Sequence, residues 1–499
     1  MIRIYDTQLR RKVDLEPLER GKVGMYVCGP TVYNYIHIGN ARTFISFDVI
    51  RRYLQWRGFK VTFVQNITDV DDKIIAKAAT EGTDAARVAA EYTEAFIADM
   101  HAVGVLDPDI RPRATEEIPA MIDLVARLIE TGHAYETSGD VYFSVRSFPA
   151  YGRLSGRDIE ELESGHRELR AEAQGLAERK EDPLDFAVWK AAKPGEPSWE
   201  SPWGRGRPGW HIECSAMSRK YLGTPFDIHG GGADLVFPHH ENELAQSEAA
   251  FGTAFAHYWI HGGMLQIDAE KMSKSLGNFK LLRDVLATTP PEVLRMLMLQ
   301  THYRSPLDFS EERLQEAGAA LARIANAKAN LEWLAANAVP GEPALSAAAC
   351  AQRMKALFMG FIAAMDDNFN TATALGEVFS FVGDLNTLVA GVTATTADVE
   401  ALEEARNLLV ELMGVFGIDL GKDASAAQAG DPRETVALAA RLAGFAGTDP
   451  AAAVEALLAY RQNARDQKDW ASSDAVRDGL AALGLKVEDT PQGQRVAPA

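Results

Sequence analysis

Cysteine is scarce in this chain: 499 residues contain three, Cys28, Cys214 and Cys350. So sparse and odd a set excludes a secreted disulfide framework and fits a reducing compartment. Long apolar runs are lacking too. None approaches the roughly 18 residues of a membrane span, so no membrane partner is expected. Met1-Ile2-Arg3-Ile4-Tyr5-Asp6 has no signal-like apolar region, and the expected location is cytoplasmic. There is also no excess of positive charge: 51 Lys+Arg stand against 70 Asp+Glu, a formal net charge of −19. That argues against a protein that coats nucleic acid through a broad basic footprint. It leaves room for one basic face on an acidic body. Internal repeats and low-complexity tracts are absent.

What remains is the balance of a globular protein, 47% hydrophobic and 24% charged. The length suits about three domains and a large core. Short apolar runs alternate with helical stretches in the first part. Val23–Cys28 reads as a strand stopped by Gly29-Pro30, Ala41–Trp56 as a helix closed by Gly58, Phe59–Ile67 as a strand, and Asp71–Gly104 as helical. That rhythm predicts an α/β domain with a parallel sheet and crossover helices. Residues 107–205 read as a less regular insertion. Within it, Trp189–Trp210 holds four tryptophans, four prolines and four glycines, and is expected to be a shaped loop. Phe226–His229 is the next strand, followed by a Gly230-Gly231-Gly232 turn, a helix from about His239 and a strand over Tyr258–Gln266. Alanine-rich helical pattern runs from Glu311 to Phe416. Gly421–Glu434 reads as a linker, and Pro450–Ala499 as two helices with a short strand at Leu485–Glu488.

Three constellations carry chemistry. Cys28-Gly29-Pro30-Thr31-Val32-Tyr33-Asn34-Tyr35-Ile36-His37-Ile38-Gly39-Asn40 follows a strand and opens a helix. A helix N-terminus presents unpaired N–H groups suited to phosphate. His37 can donate to an oxyanion and Gly39 allows close backbone approach, although the same string fits a turn with a capping Asn. Lys271-Met272-Ser273-Lys274-Ser275 can clamp phosphates where negative charge develops during nucleotidyl transfer; a solvated basic turn is the plainer reading. The third set is Cys28 and Cys214 with His239 and Glu243, the last two sharing a helix face at i, i+4. Two thiolates, an imidazole and a carboxylate can hold zinc in preference to magnesium or calcium. His240 lies i, i+3 from Glu243, and spacing alone does not choose between the two histidines. Cys350, in an alanine-rich stretch, reads as a small apolar residue.

The His-Ile-Gly string and the distant Lys-Met-Ser-Lys-Ser string together resemble the class I aminoacyl-tRNA synthetases. That family's first string usually ends in His; here position 40 is Asn, which can still donate a hydrogen bond. Longer strings are similar to cysteinyl-tRNA synthetases in particular. They are Cys28–Tyr33, Asn66-Ile67-Thr68-Asp69-Val70-Asp71-Asp72-Lys73, Gly206–Met217, and Phe226–Leu235 continuing through Pro238-His239-His240-Glu241-Asn242-Glu243. The likeness runs from the N-terminus to Lys468-Asp469-Trp470. It implies a Rossmann-like catalytic domain over residues 1–310, a helical stem over 311–420, a linker over 421–434 and an anticodon-binding domain over 435–499.

It further implies one zinc on Cys28, Cys214, His239 and Glu243, the first histidine of the pair being chosen. ATP with magnesium would be held by His37, Gly39, Asn40, Lys271, Ser273 and Lys274, with His37, Asn40, Lys271 and Lys274 serving catalysis. Thr31, Thr68, Trp210 and Asp234 would contact L-cysteine. The implied partners are L-cysteine, ATP and tRNA(Cys), with the chain acting as a monomer and the cysteinyl group passing to the terminal ribose. No inserted segment is large enough for an editing domain, and a zinc that requires the substrate sulfur would explain how serine is rejected. A small-molecule ligase that joins cysteine to an amino sugar shares the catalytic core but lacks a tRNA-binding tail. This chain continues for nearly 200 residues past the catalytic strings, which favours the synthetase. In that tail, Tyr460–Ala499 carries six Lys+Arg and six Asp+Glu, so it repels a polyanion less than the acidic body does. Trp470 there is expected to offer a face for an unstacked base.

Overall fold

The computed structural model describes residues 1–159, 180–267, 270–271, 279–421, 432–490 and 493–498. They divide into two compact units. The first comprises Met1–Thr288, Thr301–Phe309 and Asp366–Asn370; the second comprises Thr289–Gln300, Ser310–Met365 and Thr371–Ala499.

The core of the first unit is a four-stranded sheet in the order Ala256–Gly262, Phe226–Gly232, Lys22–Val27, Lys60–Gln65, parallel at every pairing. Such strands are buried on both faces and so carry continuous apolar runs instead of alternation. Every residue of Phe226–Gly232 is buried, as are the last three of Lys22–Val27. The chain lays down Lys22–Val27, steps outward to Lys60–Gln65, then returns to the other side with Phe226–Gly232. The order therefore reverses between Lys22–Val27 and Phe226–Gly232. Outside the carboxyl ends of two such strands lies the crevice where open α/β sheets take their ligands.

Several expectations need correcting. Gly230-Gly231-Gly232 is the end of a strand, not a turn. The reason is crowding: a Cβ on Gly230 would lie 2.3 Å from the Phe47 ring, which the helix Ile38–Trp56 lays across the sheet. Asp71–Gly104 is two helices, Asp72–Glu81 and Ala85–Ala102. Gly82, at φ 66°, ends the first, and the Asp84 carboxylate caps the second by accepting from Arg87 N–H at 2.8 Å. Tyr258–Gln266 is likewise two strands, Ala256–Gly262 and Leu265–Ile267.

The insertion is more regular than expected. It contains the helix Ile118–Glu130 and an antiparallel sheet of Ala134–Thr137, Asp140–Phe143, Phe186–Ala191 and Gly206–Pro208. The ends of the expected Trp189–Trp210 loop are thus strands, because Trp189 is fully buried in the same apolar cluster as Tyr26, Val64 and Trp259. Residues 160–179 of the insertion lie outside the described residues. An N-terminal hairpin, Arg3–Asp6 with Arg11–Asp14, had no sequence signal.

The second unit is helical, with Glu311–Ala336, Ala347–Asp366, Thr371–Val389 and Val399–Val415 its longest early members. Its C-terminal part packs Pro432–Ala443, Pro450–Asp466 and Trp470–Ala482 with the hairpin Leu485–Thr490/Gly493–Pro498 around Leu438, Leu457, Val476 and Leu480. The first of these helices opens inside the stretch expected to be linker; residues 422–431 lie outside the described residues. Trp470 stands clear of this core, 59% exposed. Cys350 is buried in its helix.

Candidate active site

The crevice at the strand reversal holds the chemistry. Cys28 follows Lys22–Val27 directly. Cys214 lies on the helix Trp210–Leu222, and Glu243 on Glu241–Phe251 just beyond His239 and His240. All five side chains are buried. Cys28 Sγ is 3.6 Å from Cys214 Sγ and 3.5 Å from Glu243 Oε1; His239 Nε2 is 2.9 Å from the same carboxylate oxygen. With zinc–sulfur bonds of about 2.3 Å and zinc–nitrogen or –oxygen bonds of about 2.0–2.1 Å, tetrahedral edges are about 3.8 Å between sulfurs and about 3.5 Å between sulfur and oxygen. Cys28, Cys214, His239 and Glu243 offer ligand atoms all within 4.8 Å of one another, spacing that suits one such ion.

Cys28, His229, His240 and Glu243 meet the same limit, so both histidines of the pair reach the cluster, from different sides. The His239 ring stacks on Trp210, 4.2 Å between centroids, and Trp210 lines the open cavity. His240 lies deeper, with Nε2 3.3 Å from Cys28 Sγ and Nδ1 2.7 Å from His261. His229, stacked on Trp259, places Nε2 2.8 Å from Glu243 Oε2, the oxygen turned away from His239.

The electrostatics follow from burial and this pairing. Burial alone would raise the Glu243 carboxyl, but His229 and His239 hold it well below the ordinary range. Burial would lower His239, yet Glu243 and Cys214 bring it up to about 10. Burial, with Cys214 beside it, pushes the Cys28 thiol up. Against the same burial, a hydrogen bond from Cys28 and the neighbouring His239 bring Cys214 down to about 6. His240 and His211 are held neutral, first by burial and then by neighbouring histidines.

A cavity of about 230 Å³ opens over the cluster, lined by Cys28, Thr31, His37, Asn40, Trp210 and Asp234 among others. Thr68 is not among its walls. Its backbone pairs with Thr31, and its hydroxyl donates to Glu213 Oε2 at 2.7 Å. His37 and Asn40 form a reciprocal cap on the helix Ile38–Trp56. His37 Nδ1 accepts from Asn40 N–H, and Asn40 Oδ1 accepts from His37 N–H, both at 3.2 Å. Gly39 sits in that first turn. Lys271 is placed by its backbone in a short strand paired with Leu265–Ile267. Ser273 and Lys274 lie outside the described residues. Where the chain is next described, Phe279 meets the His37 ring at 5.0 Å and Lys280 C=O accepts from Ile38 N–H. The chain that follows the second string thus meets the helix N-terminus that the first string builds.

Sequence reasoning gave no role to His211, His229 or Asn66. His211 Nδ1 lies 2.8 Å from His239 Nδ1 and orients that ring. Asn66 Oδ1 accepts from Gly29 N–H at 2.8 Å, fixing the turn after Cys28. The first was within reach, since His211 and Cys214 share a helix face at i, i+3. The other two required the sheet register.

A parallel sheet with a ligand crevice at its reversal, and a His-x-Gly-Asn helix start met by the chain leaving Lys-Met-Ser-Lys-Ser, define a class I aminoacyl-tRNA synthetase. Residues 14–319 match the family described as "tRNA synthetases class I (C) catalytic domain", 360–421 the "DALR domain", and 448–496 the "Cysteinyl-tRNA ligase anticodon binding domain". The chain belongs to the cysteine–tRNA ligase family. It is 48% identical over 497 residues to "Cysteine--tRNA ligase" of Desulforamulus reducens and 51% identical over 498 residues to that of Solidesulfovibrio magneticus, covering 99% of both chains in each case. In fold it is similar to "Mycobacterium tuberculosis methionyl-tRNA synthetase in complex with methionyl-adenylate", with TM-score 0.60 and 16% identity over 81% of this chain and 93% of that one. The match at 448–496 falls in the C-terminal tail. Among the described residues, no helix is long and apolar enough to cross a membrane.

Proposed function

We propose that the chain activates L-cysteine with ATP and magnesium and loads it onto the 3′-terminal adenosine of tRNA(Cys). The observation that carries this reading is the buried Cys28–Cys214–His239–Glu243 cluster, whose Cys28 lines the same cavity as His37 and Asn40. First, a cysteine carboxylate oxygen attacks the α-phosphorus of ATP and pyrophosphate leaves, giving cysteinyl-adenylate. Then the 2′-hydroxyl of the terminal ribose attacks the carbonyl carbon, loses its proton, and AMP leaves. A zinc ion on the four ligands would bind the substrate thiolate strongly and a serine hydroxyl poorly, which supplies the discrimination. His239 is the assigned histidine because its ring stacks on Trp210, a wall of the cavity, whereas His240 packs on His261 and His229 on Trp259.

Thr31, Trp210 and Asp234 contact the amino acid, Asp234 as the carboxylate for its ammonium group. Thr68 acts from behind, by holding Thr31 in place. His37, Gly39 and Asn40 bind ATP at the helix N-terminus; Asn40 Oδ1 is committed to the cap and its amide nitrogen is left to donate. Lys271, Ser273 and Lys274 close on the phosphates, the lysines offsetting charge as pyrophosphate departs. The assigned domains are 1–310 for catalysis, 311–420 as stem, 421–434 as linker and 435–499 for the anticodon, where exposed Trp470 stacks a base. The chain acts as a monomer in the cytoplasm.

The test is ATP–pyrophosphate exchange with cysteine and with serine, on zinc-loaded and zinc-stripped protein, followed by charging of bulk tRNA with each of the twenty amino acids. Exchange and charging confined to cysteine, with selectivity lost on stripping, support the reading. Selectivity that survives complete zinc removal refutes the metal's role.

A further inference from the structure

A second cavity, of about 310 Å³, adjoins the first and has no part in the chemistry above. Ala233 and Val236 line it, while Gly232, Asp234 and Leu235 line the first, so one short segment walls both. On its other sides are Arg10, Ser155 and Arg304. Both arginines are exposed, and among the described residues neither guanidinium is paired with a carboxylate. Other arginines of this unit are engaged: Arg3 on Asp367, Arg52 on Asp48, Arg207 on Asp72 and Glu196. In a chain of net charge −19, two cations with no carboxylate partner among the described residues form a local well for an anion on one cavity.

The arrangement is built, not incidental. Arg10 sits at the tip of the N-terminal hairpin with φ 55°, a conformation that non-glycine residues seldom adopt. Its guanidinium lies against the backbone of Gly156, where a Cβ would fall 1.3 Å from Nη2; Gly156, at φ 71°, keeps that place clear. Arg304 stacks on Tyr5, with Cζ 3.2 Å from the ring centroid. On the same cavity the Ser155 hydroxyl is buried without a hydrogen-bond partner among the described residues, a polar atom that a ligand would satisfy. Two cations and an unspent hydroxyl suit phosphate oxygens. A guanidinium held flat on an aromatic ring suits an unstacked base, the recognition that single-stranded RNA receives.

We propose that this cavity binds the phosphate and base of an unpaired nucleotide in the 3′ strand of the tRNA, leading its terminal ribose over the shared wall to the aminoacyl group. The inference rests on the ligase reading above and adds Arg10, Ser155 and Arg304 as positioning residues for the transfer step. The anion is RNA and not ATP because the ATP-binding helix start opens onto the other cavity.

The experiment compares wild type with the double variant Arg10→Gln/Arg304→Gln, using tRNA charging, cysteine-dependent pyrophosphate exchange and the salt dependence of charging. The expected result is at least a tenfold fall in kcat/KM for tRNA relative to the exchange rate. The slope of log(kcat/KM) against log salt should shrink by about 0.7 for each phosphate no longer neutralised. Arg10→Lys/Arg304→Lys, which keeps the charges, should retain most of the wild-type slope. A charging-to-exchange ratio within twofold of wild type overturns the proposal. So does a parallel fall in both activities, which would assign the cavity to ATP or to the fold. Wild-type protein that exchanges pyrophosphate but charges no tRNA would refute the ligase reading itself, a result distinct from either of these.

Discussion

Replacing His229 with leucine removes a hydrogen-bond partner of Glu243 Oε2, the oxygen turned away from His239. His229 Nε2 stands 2.8 Å from Oε2, and both side chains are wholly buried. A hydrogen bond to a charged group contributes about 1.5–3 kcal/mol. At about 1.4 kcal/mol per factor of ten, its loss should weaken zinc binding roughly 10–150-fold, the range typical of groups that orient metal ligands. Leucine fills the space against Trp259, so a cavity contributes little. His229→Gln places an amide N–H near the position of Nε2 and should recover most of the affinity. The assay is competition for zinc against a chelating dye, with thermal unfolding as the control for global damage. If His229→Leu binds zinc as tightly as wild type while folded, then either Glu243 is not a ligand or its outer oxygen needs no donor. Equal losses in His229→Leu and His229→Gln would mean that packing, not the hydrogen bond, is what matters.

Cys214→Ser and His239→Ala should each lose stoichiometric zinc on metal analysis, while His240→Ala should keep it with lowered affinity; the reverse order would transfer the site to the deeper histidines. Gly230→Ala forces a methyl to within 2.3 Å of the buried Phe47 ring. It should destabilise the first unit by about 1–3 kcal/mol, seen as a lower first thermal transition, and an unchanged transition would mean that the helix Ile38–Trp56 can shift freely. Lys274→Ala should slow cysteine-dependent pyrophosphate exchange by about 10²–10³ with little change in cysteine binding; near wild-type exchange would put Lys274 outside the reaction. Trp470→Ala should leave exchange intact and weaken tRNA charging by about 1–3 kcal/mol in the KM for tRNA, and no change in KM would refute base stacking there.

The sequence by itself determined the strand–helix rhythm of the parallel sheet, the ligand-type residues, and the His-Ile-Gly and Lys-Met-Ser-Lys-Ser strings, because each is local. Burial on two faces writes a continuous apolar run, a helix start writes its cap, and i, i+4 spacing puts His239 and Glu243 on one face whatever surrounds them. Where two local readings are equally good, the tertiary structure decides. Spacing allowed His239 or His240, and only the packing of Trp210 on one side and His261 on the other separates their directions. Three successive glycines read as a turn until Phe47 is laid across them; they are a strand because a helix comes too close for any side chain. The tryptophan-rich stretch reads as a loop by composition, yet Trp189 pins its start into the shared core. His229 reaches Glu243 through sheet register, across elements that sequence distance does not relate. Trp470 could equally have filled its own small core. Its exposure is decided by Leu438, Leu457, Val476 and Leu480, which close that core without it.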